Sequence, residues 1–230
     1  MGKKFKGKTC VYCGGSSSTG DHVVARAFFP EELRGDLPQV PACLSCNNKK
    51  SDLETYLVAV LPIAGNHAAA NRLFDDARRR IQKNARLMRE MAKGFEVYSP
   101  VSTEDAHATF FRGSQLIQYA AYVGRGLLYH HFGTVLGPEH EAKGLAIDAL
   151  GQRRFDVMFE HLRHVASMVS NSLAGGALAY RGFVAADDSQ VSAWQVRLYG
   201  GVNLGTSSTG YKHGTFDFAA MTTKKGRLLD

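Results

Sequence analysis

The sequence contains no apolar segment long enough to cross a bilayer. Its longest apolar run covers residues 56–64 and includes Pro62, whereas a membrane-spanning helix needs roughly 18–20 apolar residues. The N-terminal residues MGKKFKGK are basic and lack the apolar stretch of a secretory signal. We therefore expect no membrane association and a cytoplasmic location, where paired thiols bind metal more often than they form disulfides.

Internal repeats and low-complexity tracts are also missing, apart from a short polar run at residues 16–19. The 230 residues are 44% hydrophobic and 21% charged, a composition typical of globular proteins. This much apolar material can form a core, so an extensively disordered chain is not expected. The length allows one large domain, or a small domain followed by a medium one.

Positive charge is concentrated in two parts of the chain, which has a net charge of +7. Residues 1–54 contain eight Lys and Arg against six Asp and Glu, and residues 72–93 contain eight against three. The remaining residues balance at twelve against twelve. A localised basic excess suits a phosphate backbone, and the alternative is a solvated helix face that only promotes solubility.

Hydrophobic periodicity predicts several helices in the first 170 residues. One extends from Asn47 to about residue 61, and an amphipathic helix covers residues 67–93. Further helices are expected over 104–130 and 153–170, the latter with a strand at 155–159 as the alternative. The apolar stripe of the 67–93 helix consists of Phe74, Ala77, Ile81, Ala85, Met88 and Ala92.

The C-terminal third has a different pattern. Segments rich in β-branched and aromatic residues cover 177–180, 183–185, 191–199 and 215–221, with Gly, Asp or Ser clusters between them. This pattern predicts an antiparallel sheet. The expected fold class is α+β, with a small N-terminal module, a mainly helical segment and a C-terminal antiparallel sheet.

The four cysteines form two CxxC pairs about thirty residues apart, Cys10 with Cys13 and Cys43 with Cys46. Two such pairs can fold a short loop around one tetrahedral Zn²⁺ through four thiolates. Asp21 and His22 lie between the pairs, and Asn47 directly follows the second pair. A carboxylate beside a histidine, with a polar ligand after the last cysteine, is a minimal set for metal-assisted phosphodiester hydrolysis.

Two CxxC pairs that enclose Asp-His and end in CN-x-x-K resemble the HNH endonuclease family with a four-cysteine zinc knuckle. The resemblance covers about residues 9–55. It implies a ββα-metal fold, in which two short strands and a helix hold a catalytic divalent metal. We accordingly expect a nuclease module over residues 1–58 and a separate α+β domain over residues 59–230, serving DNA engagement, assembly or regulation.

The resemblance also implies roles for individual residues. His22 would be the general base, because an imidazole can accept a proton from water near neutral pH. Asp21 would bind catalytic Mg²⁺ or Mn²⁺ through hard carboxylate oxygen, and Asn47 occupies the family's place for a second ligand. Zn²⁺ would be structural. Arg26 and Lys50 are expected to contact DNA phosphates, and the basic excess over residues 72–93 separately predicts such contacts from Arg78, Arg79, Lys83 and Arg86.

The sequence departs from the family pattern at one place. Many members have an asparagine shortly before the third cysteine that braces the histidine loop, and this chain has none there. Asp36 or Gln39 is a candidate substitute, and backbone contacts are a third alternative.

Each assignment has a simpler alternative. Without a nuclease site, His22 is an ordinary polar residue of a zinc finger and Asn47 a helix cap. Lys50 is then a solvated lysine. Glu54 either binds the metal or contacts one of the metal's ligands, and the simpler alternative is that it forms a surface salt bridge.

The sequence therefore predicts a metal-dependent DNA endonuclease. One alternative is a non-catalytic zinc-knuckle protein that binds nucleic acid without cleaving it. Another is a nuclease effector that a ligand or assembly activates, and a homo-oligomer is compatible with that interpretation.

Overall fold

The computed structural model describes residues 4–86, 88–89, 113–203 and 215–226. These residues form a mixed α+β structure, which confirms the expected fold class at that level. Its helices are α1 (Leu44–Val60), α2 (Ala68–Lys83), α3 (Gly113–Phe132) and α4 (Ala149–Leu162). Its strands are β1 (Thr19–His22), β2 (Gln39–Ala42), β3 (His140–Ile147), β4 (Ala166–Leu173), β5 (Leu178–Ala185), β6 (Ser192–Leu198), β7 (Val202–Asn203) and β8 (Thr215–Lys224).

The N-terminal part consists of a two-stranded antiparallel sheet followed by a helix. Strands β1 and β2 pair so that His22 lies opposite Gln39. Helix α1 begins directly after Cys43, whose Sγ accepts a hydrogen bond from the Cys46 amide and so caps the first turn. The helix gives way to a 3₁₀ turn at Leu61–Ala64, where Pro62 cannot continue the α-helical hydrogen bonding.

The C-terminal part is an antiparallel sheet with strand order β3-β8-β6-β5-β4, and β7 pairs with β8. The sequence pattern predicted β5, β6 and β8 but not β3, β4 or the short β7. The expected helix over 153–170 was too long, since α4 ends at Leu162 and β4 begins at Ala166. Half of the eight residues of β4 are Ser or Asn, so the segment lacks the apolar enrichment that is typical of a strand.

Helices cover both faces of this sheet. Helix α3 packs closely on β3, because Gly144 has no side chain and a Cβ there would overlap the Ile117 carbonyl oxygen. Helix α4 lies on the opposite face, where Phe155 and Phe159 join a cluster of buried residues that includes Phe183.

Helix α3 also contacts the N-terminal module directly. The Tyr119 hydroxyl accepts a hydrogen bond from the Ala25 amide at 3.3 Å, and the Arg125 guanidinium donates to the Tyr12 carbonyl. One continuous cluster of buried apolar side chains extends from the cysteine pairs to the C-terminal sheet. The boundary between two domains at residue 58 stays a prediction. The cluster of buried apolar side chains extends across this boundary.

The expected helix over 67–93 is interrupted. Helix α2 ends at Lys83, and Asn84 adopts an extended conformation with φ −109° and ψ 91°. Its buried face consists of Ala69, Ala70, Leu73 and Ala77. The predicted stripe is therefore only partly correct, because Phe74 and Met88 are 40% and 47% exposed.

Other expectations lie partly outside the described residues. Helix α3 confirms the C-terminal portion of the helix predicted over 104–130, whereas residues 104–112 are not among those described. In the described part of the chain, no helix combines the length and the apolar character that a membrane span requires.

Candidate functional site

The four cysteines form one compact group. Their Sγ atoms all lie within 4.8 Å of one another, and the Sγ atoms of Cys13 and Cys43 are 3.8 Å apart. A tetrahedral zinc with Zn–S bonds of about 2.3 Å separates its sulfurs by about 3.8 Å. The cysteines are free thiols, not disulfides, and their spacing fits a metal such as zinc.

Backbone geometry places both cysteine pairs. In the first pair, the Gly14 amide donates to the Cys10 carbonyl at 2.9 Å, and Gly14 adopts a positive φ of 77° that glycine tolerates. In the second pair, the hydrogen bond from the Cys46 amide lowers the pKa of Cys43 to about 7. Burial raises the pKa of Cys10 in the first pair. A bound cation favours the thiolate form of its cysteine ligands.

A buried lysine links the strand that carries Asp21 to helix α1. The Lys50 side chain is 0% exposed, and its Nζ lies 3.0 Å from Asp21 Oδ2. The same ammonium donates to the His22 carbonyl at 2.7 Å and to Glu54 Oε1 at 2.6 Å. Its Nζ also lies 5.6 Å from the centroid of the Tyr119 ring. These three oxygens match the three N–H groups of an ammonium.

This position differs from both expectations for Lys50. The residue is neither solvated nor exposed to a phosphate, because burial and its three oxygen partners occupy the ammonium within the fold. Its partner Glu54 forms a salt bridge, as the alternative interpretation held, but the carboxylate is only 14% exposed. Burial raises the pKa of Glu54 despite the opposing charge of Lys50.

Asp21 is held through one of its two oxygens. The Tyr12 hydroxyl donates to Oδ2 at 2.6 Å, and Lys50 contacts the same atom. Within the described residues, Oδ1 forms no hydrogen bond. Asp21 is 8% exposed, so a carboxylate oxygen of fixed position is left for another ligand. With both carboxylates ionised, Asp21, Glu54 and Lys50 carry a net charge of −1.

His22 is braced by the residue opposite it on β2. The side-chain amide nitrogen of Gln39 lies 2.9 Å from Nε2 of His22, whereas Asp36 instead accepts a hydrogen bond from the Ala174 amide at 3.1 Å. Of the two residues proposed to replace the family's bracing asparagine, Gln39 is therefore the one that contacts the histidine. Nδ1 of His22 has no hydrogen-bond partner in the described part of the chain. Burial, with the nearby charge of Arg26, lowers the pKa of His22 below 6.5 and favours a neutral imidazole.

Asn47 is half-buried in the first turns of α1. It precedes Lys50 by three residues and Glu54 by seven, so the three share one helix face. Lys50 on this face contacts Asp21, which places the start of α1 beside β1.

A basic groove of about 890 Å³ runs between α1 and α2. Arg79, Arg80 and Lys83 line one side together with Asp76, which accepts a hydrogen bond from Arg79 at 2.6 Å, and Glu54 lies on the other side. Ala25 and Ala27 also line the groove, and the exposed Arg26 lies between them in sequence. The expected contacts Arg78 and Arg86 are exposed but are not among the lining residues.

Sequence analysis missed Tyr12, Tyr119 and Arg80 as members of this region. Tyr12 lies inside the first CxxC pair, where a buried polar aromatic has no distinguishing pattern. The contact of Tyr119 with Lys50 depends on packing between segments that are distant in sequence.

No protein-family model, no curated protein and no solved structure matches this chain. The function is therefore argued from the site itself.

The cysteine group predicts a structural metal. The purified protein should contain about one zinc per chain, and Cys43→Ser should lose the zinc and lower the thermal stability, because metal binding supplies folding free energy to such modules. Metal analysis and thermal denaturation test this. Ser45→Ala, an exposed neighbour on α1, is the control, and a Cys43→Ser protein with wild-type metal content and stability contradicts the assignment.

Lys50→Met should destabilise the protein by about 3–5 kcal/mol at neutral pH, because it leaves two buried carboxylates without their cation. This loss in the free energy of unfolding should shrink as the pH falls, because protonation of the carboxylates removes the uncompensated charge. The pKa of Glu54 is raised, so its carboxyl is neutralised at a higher pH than an ordinary glutamate. Denaturant titrations of Lys50→Met and the exposed control Lys49→Met measure this. Equal stability of the two variants excludes a stabilising role for Lys50.

Proposed function

We propose that this protein is a metal-dependent endonuclease that hydrolyses DNA phosphodiester bonds, of the HNH type that its cysteine and Asp-His motifs resemble. The supporting observation is the adjacency of His22 and Asp21 on β1, each with one side-chain atom that is unpaired within the described residues. The order of two strands and a helix agrees with a ββα-metal module.

His22 is the proposed general base. Its lowered pKa keeps the imidazole neutral at pH 7, and a neutral ring can accept a proton from the water that attacks phosphorus. Gln39 fixes the ring at Nε2. The Gln39 amide nitrogen faces Nε2, and the proposed base requires this amide turned by 180°, so that its oxygen accepts from Nε2–H and Nδ1 presents the lone pair.

Asp21 and Asn47 are the proposed ligands of a divalent cation. Carboxylate and amide oxygens are preferred by Mg²⁺ and Mn²⁺. Such a cation stabilises the negative charge that develops on the phosphate and the leaving oxygen. Lys50 acts on Asp21 as a positioning residue, because it fixes Oδ2 and leaves Oδ1 for the ligand. The net negative charge of the Asp21, Glu54 and Lys50 group favours a cation here.

The basic groove is the proposed path of the nucleic acid. Arg79, Arg80 and Lys83 of α2 face the segment that follows His22 across this groove. Cationic side chains along a groove bind the phosphate backbone and supply affinity that depends strongly on salt. DNA held there would pass close to Arg26 and His22.

Cleavage of supercoiled plasmid DNA with Mg²⁺ or Mn²⁺ tests the proposal. Wild-type protein should convert the plasmid, EDTA should prevent conversion, and His22→Ala should lose activity by about 100-fold or more, as expected when a general base is removed. The rate should fall as the pH drops through a midpoint below 6.5, because the protonated imidazole cannot act as a base.

Gln39→Ala is the informative companion variant, since it should reduce the rate while leaving metal content and DNA affinity unchanged. Full activity of His22→Ala contradicts the base assignment. Salt-sensitive binding without cleavage under every metal condition supports the non-catalytic alternative instead.

Charge reversal in the groove should weaken DNA binding. Arg79→Glu and Lys83→Glu should each reduce affinity and reduce the slope of log affinity against log salt by about 1, because each removes one phosphate contact. Fluorescence anisotropy over a range of salt concentrations measures both quantities. Arg153→Glu and Arg154→Glu, exposed on α4 away from the groove, are matched controls, and equal effects in both pairs refute the proposed path.

A further inference from the structure

A second cavity lies on the face of the C-terminal sheet that carries α4. Its volume is about 470 Å³, within the range of small-molecule sites. Strands β4, β5 and β6 contribute its floor, and Gln152 and Asp156 of α4 form a wall. It shares no lining residue with the groove between α1 and α2, so it is a separate feature of the molecule.

Two arginines on neighbouring strands line this cavity. Arg181 of β5 pairs with Gln195 of β6, and Ala179 pairs with Arg197. Arg181 and Arg197 are therefore diagonal neighbours on one face of the sheet. Their side chains are 32% and 43% exposed, which leaves each guanidinium accessible from the cavity.

Arg197 is fixed by a buried carboxylate. Its Nε and Nη2 donate to Asp217 at 2.9 Å each, and Nη2 also contacts Gln152 at 3.3 Å. The Asp217 side chain is 0% exposed. Within the described residues, Nη1 of Arg197 has no hydrogen-bond acceptor.

Arg181 is held by a glutamine, an aromatic ring and the carboxylate of Asp156, which is 60% exposed. Its Nε donates to Gln195 at 2.7 Å, its Nη2 donates to Asp156, and its guanidinium lies 4.7 Å from the centroid of the Phe159 ring. Its Nη1 likewise has no acceptor in the part of the chain that the structure describes. Each arginine thus keeps one NH₂ group unused while the rest of the guanidinium is held in place.

Stability alone is a weak reason for this arrangement. Replacing a buried ion pair by apolar residues of similar volume is often neutral or stabilising. A buried aspartate that orients an accessible arginine instead resembles the support of a binding residue, because fixed donors lose little conformational entropy when a ligand arrives. Ser170 and Ser172 line the same cavity from β4 and add two hydroxyl groups.

We propose that this cavity binds a small phosphomonoester, with the Nη1 groups of Arg181 and Arg197 donating to the phosphate oxygens. A planar guanidinium matches the geometry of a phosphate, and two of them on one face can contact the same group. The hydroxyls of Ser170 and Ser172 supply further hydrogen bonds to the ligand. The remaining volume accommodates an organic substituent. This site stands independently of the proposed nuclease activity.

Isothermal titration calorimetry on the full chain tests the proposal with four probes: adenosine monophosphate, inorganic phosphate, adenosine and malonate. Adenosine monophosphate should bind, and adenosine and malonate should not. Binding of inorganic phosphate as well assigns recognition to the phosphate group alone, whereas its failure to bind shows that the organic part contributes. The absence of binding by both phosphate probes, or equal binding of malonate, overturns the proposal.

Two matched pairs of variants locate the site. Arg181→Gln should weaken binding by at least about tenfold, because a charged donor is lost, whereas Arg154→Gln, exposed on α4 and outside the cavity, should not. Ser172→Glu adds a repelling charge on an exposed edge-strand position and should abolish binding. Ser167→Glu on the opposite face of β4 is its control. Unchanged affinity in both cavity variants, or equal losses in the controls, refutes this location.

Discussion

The buried ammonium of Lys50 is the interaction on which the geometry of the candidate site depends. It joins β1, through Asp21 and the His22 carbonyl, to Glu54 on α1, and it lies above the Tyr119 ring of α3. An isolated ammonium in such a place is very costly to desolvate, and its three oxygen partners compensate for that cost. Cys43 and Cys46 lie where β2 ends and α1 begins, so a metal bound by the cysteine group would constrain the same helix that carries Lys50.

Helix α3 connects the N-terminal module to the C-terminal sheet by packing against both. Its glycines permit close approach on two sides: a Cβ at Gly126 would lie 2.9 Å from the methyl groups of Val23, and one at Gly124 would press on Ala220 of β8. The N-terminal module and the C-terminal sheet therefore pack against the same helix. Further contacts bypass α3, since the Tyr199 hydroxyl, just beyond β6, donates to the Phe28 carbonyl at 2.6 Å.

The sequence allowed prediction of the features that depend on local pattern. The α+β class, helix α1, strands β5, β6 and β8, and the convergence of the four cysteines all follow from periodicity or spacing. The long helix predicted over residues 67–93 was wrong at Asn84, because periodicity does not report a local break in the backbone. Strand β4 was missed because its serines are exposed at a sheet edge. The burial of Lys50 depends on contacts with Asp21 and Tyr119, which are distant in sequence, and no local signal distinguishes it from the exposed Lys49.

The pattern of satisfied and unsatisfied polar atoms separates supporting residues from candidate reacting ones. The three N–H groups of Lys50 are taken by Asp21, Glu54 and the His22 carbonyl, and the Tyr12 hydroxyl proton is donated to Asp21, so these two residues have no side-chain donor left for a substrate. Within the described residues, Nδ1 of His22 and Oδ1 of Asp21 have no such partners. A base and a metal ligand both require a free lone pair in a fixed position. Oδ1 of Asp21 meets that requirement, and Nδ1 of His22 meets it when the Gln39 amide presents its oxygen to Nε2. The network that buries Lys50 therefore leaves His22 and Asp21 as the candidate groups for the proposed reaction.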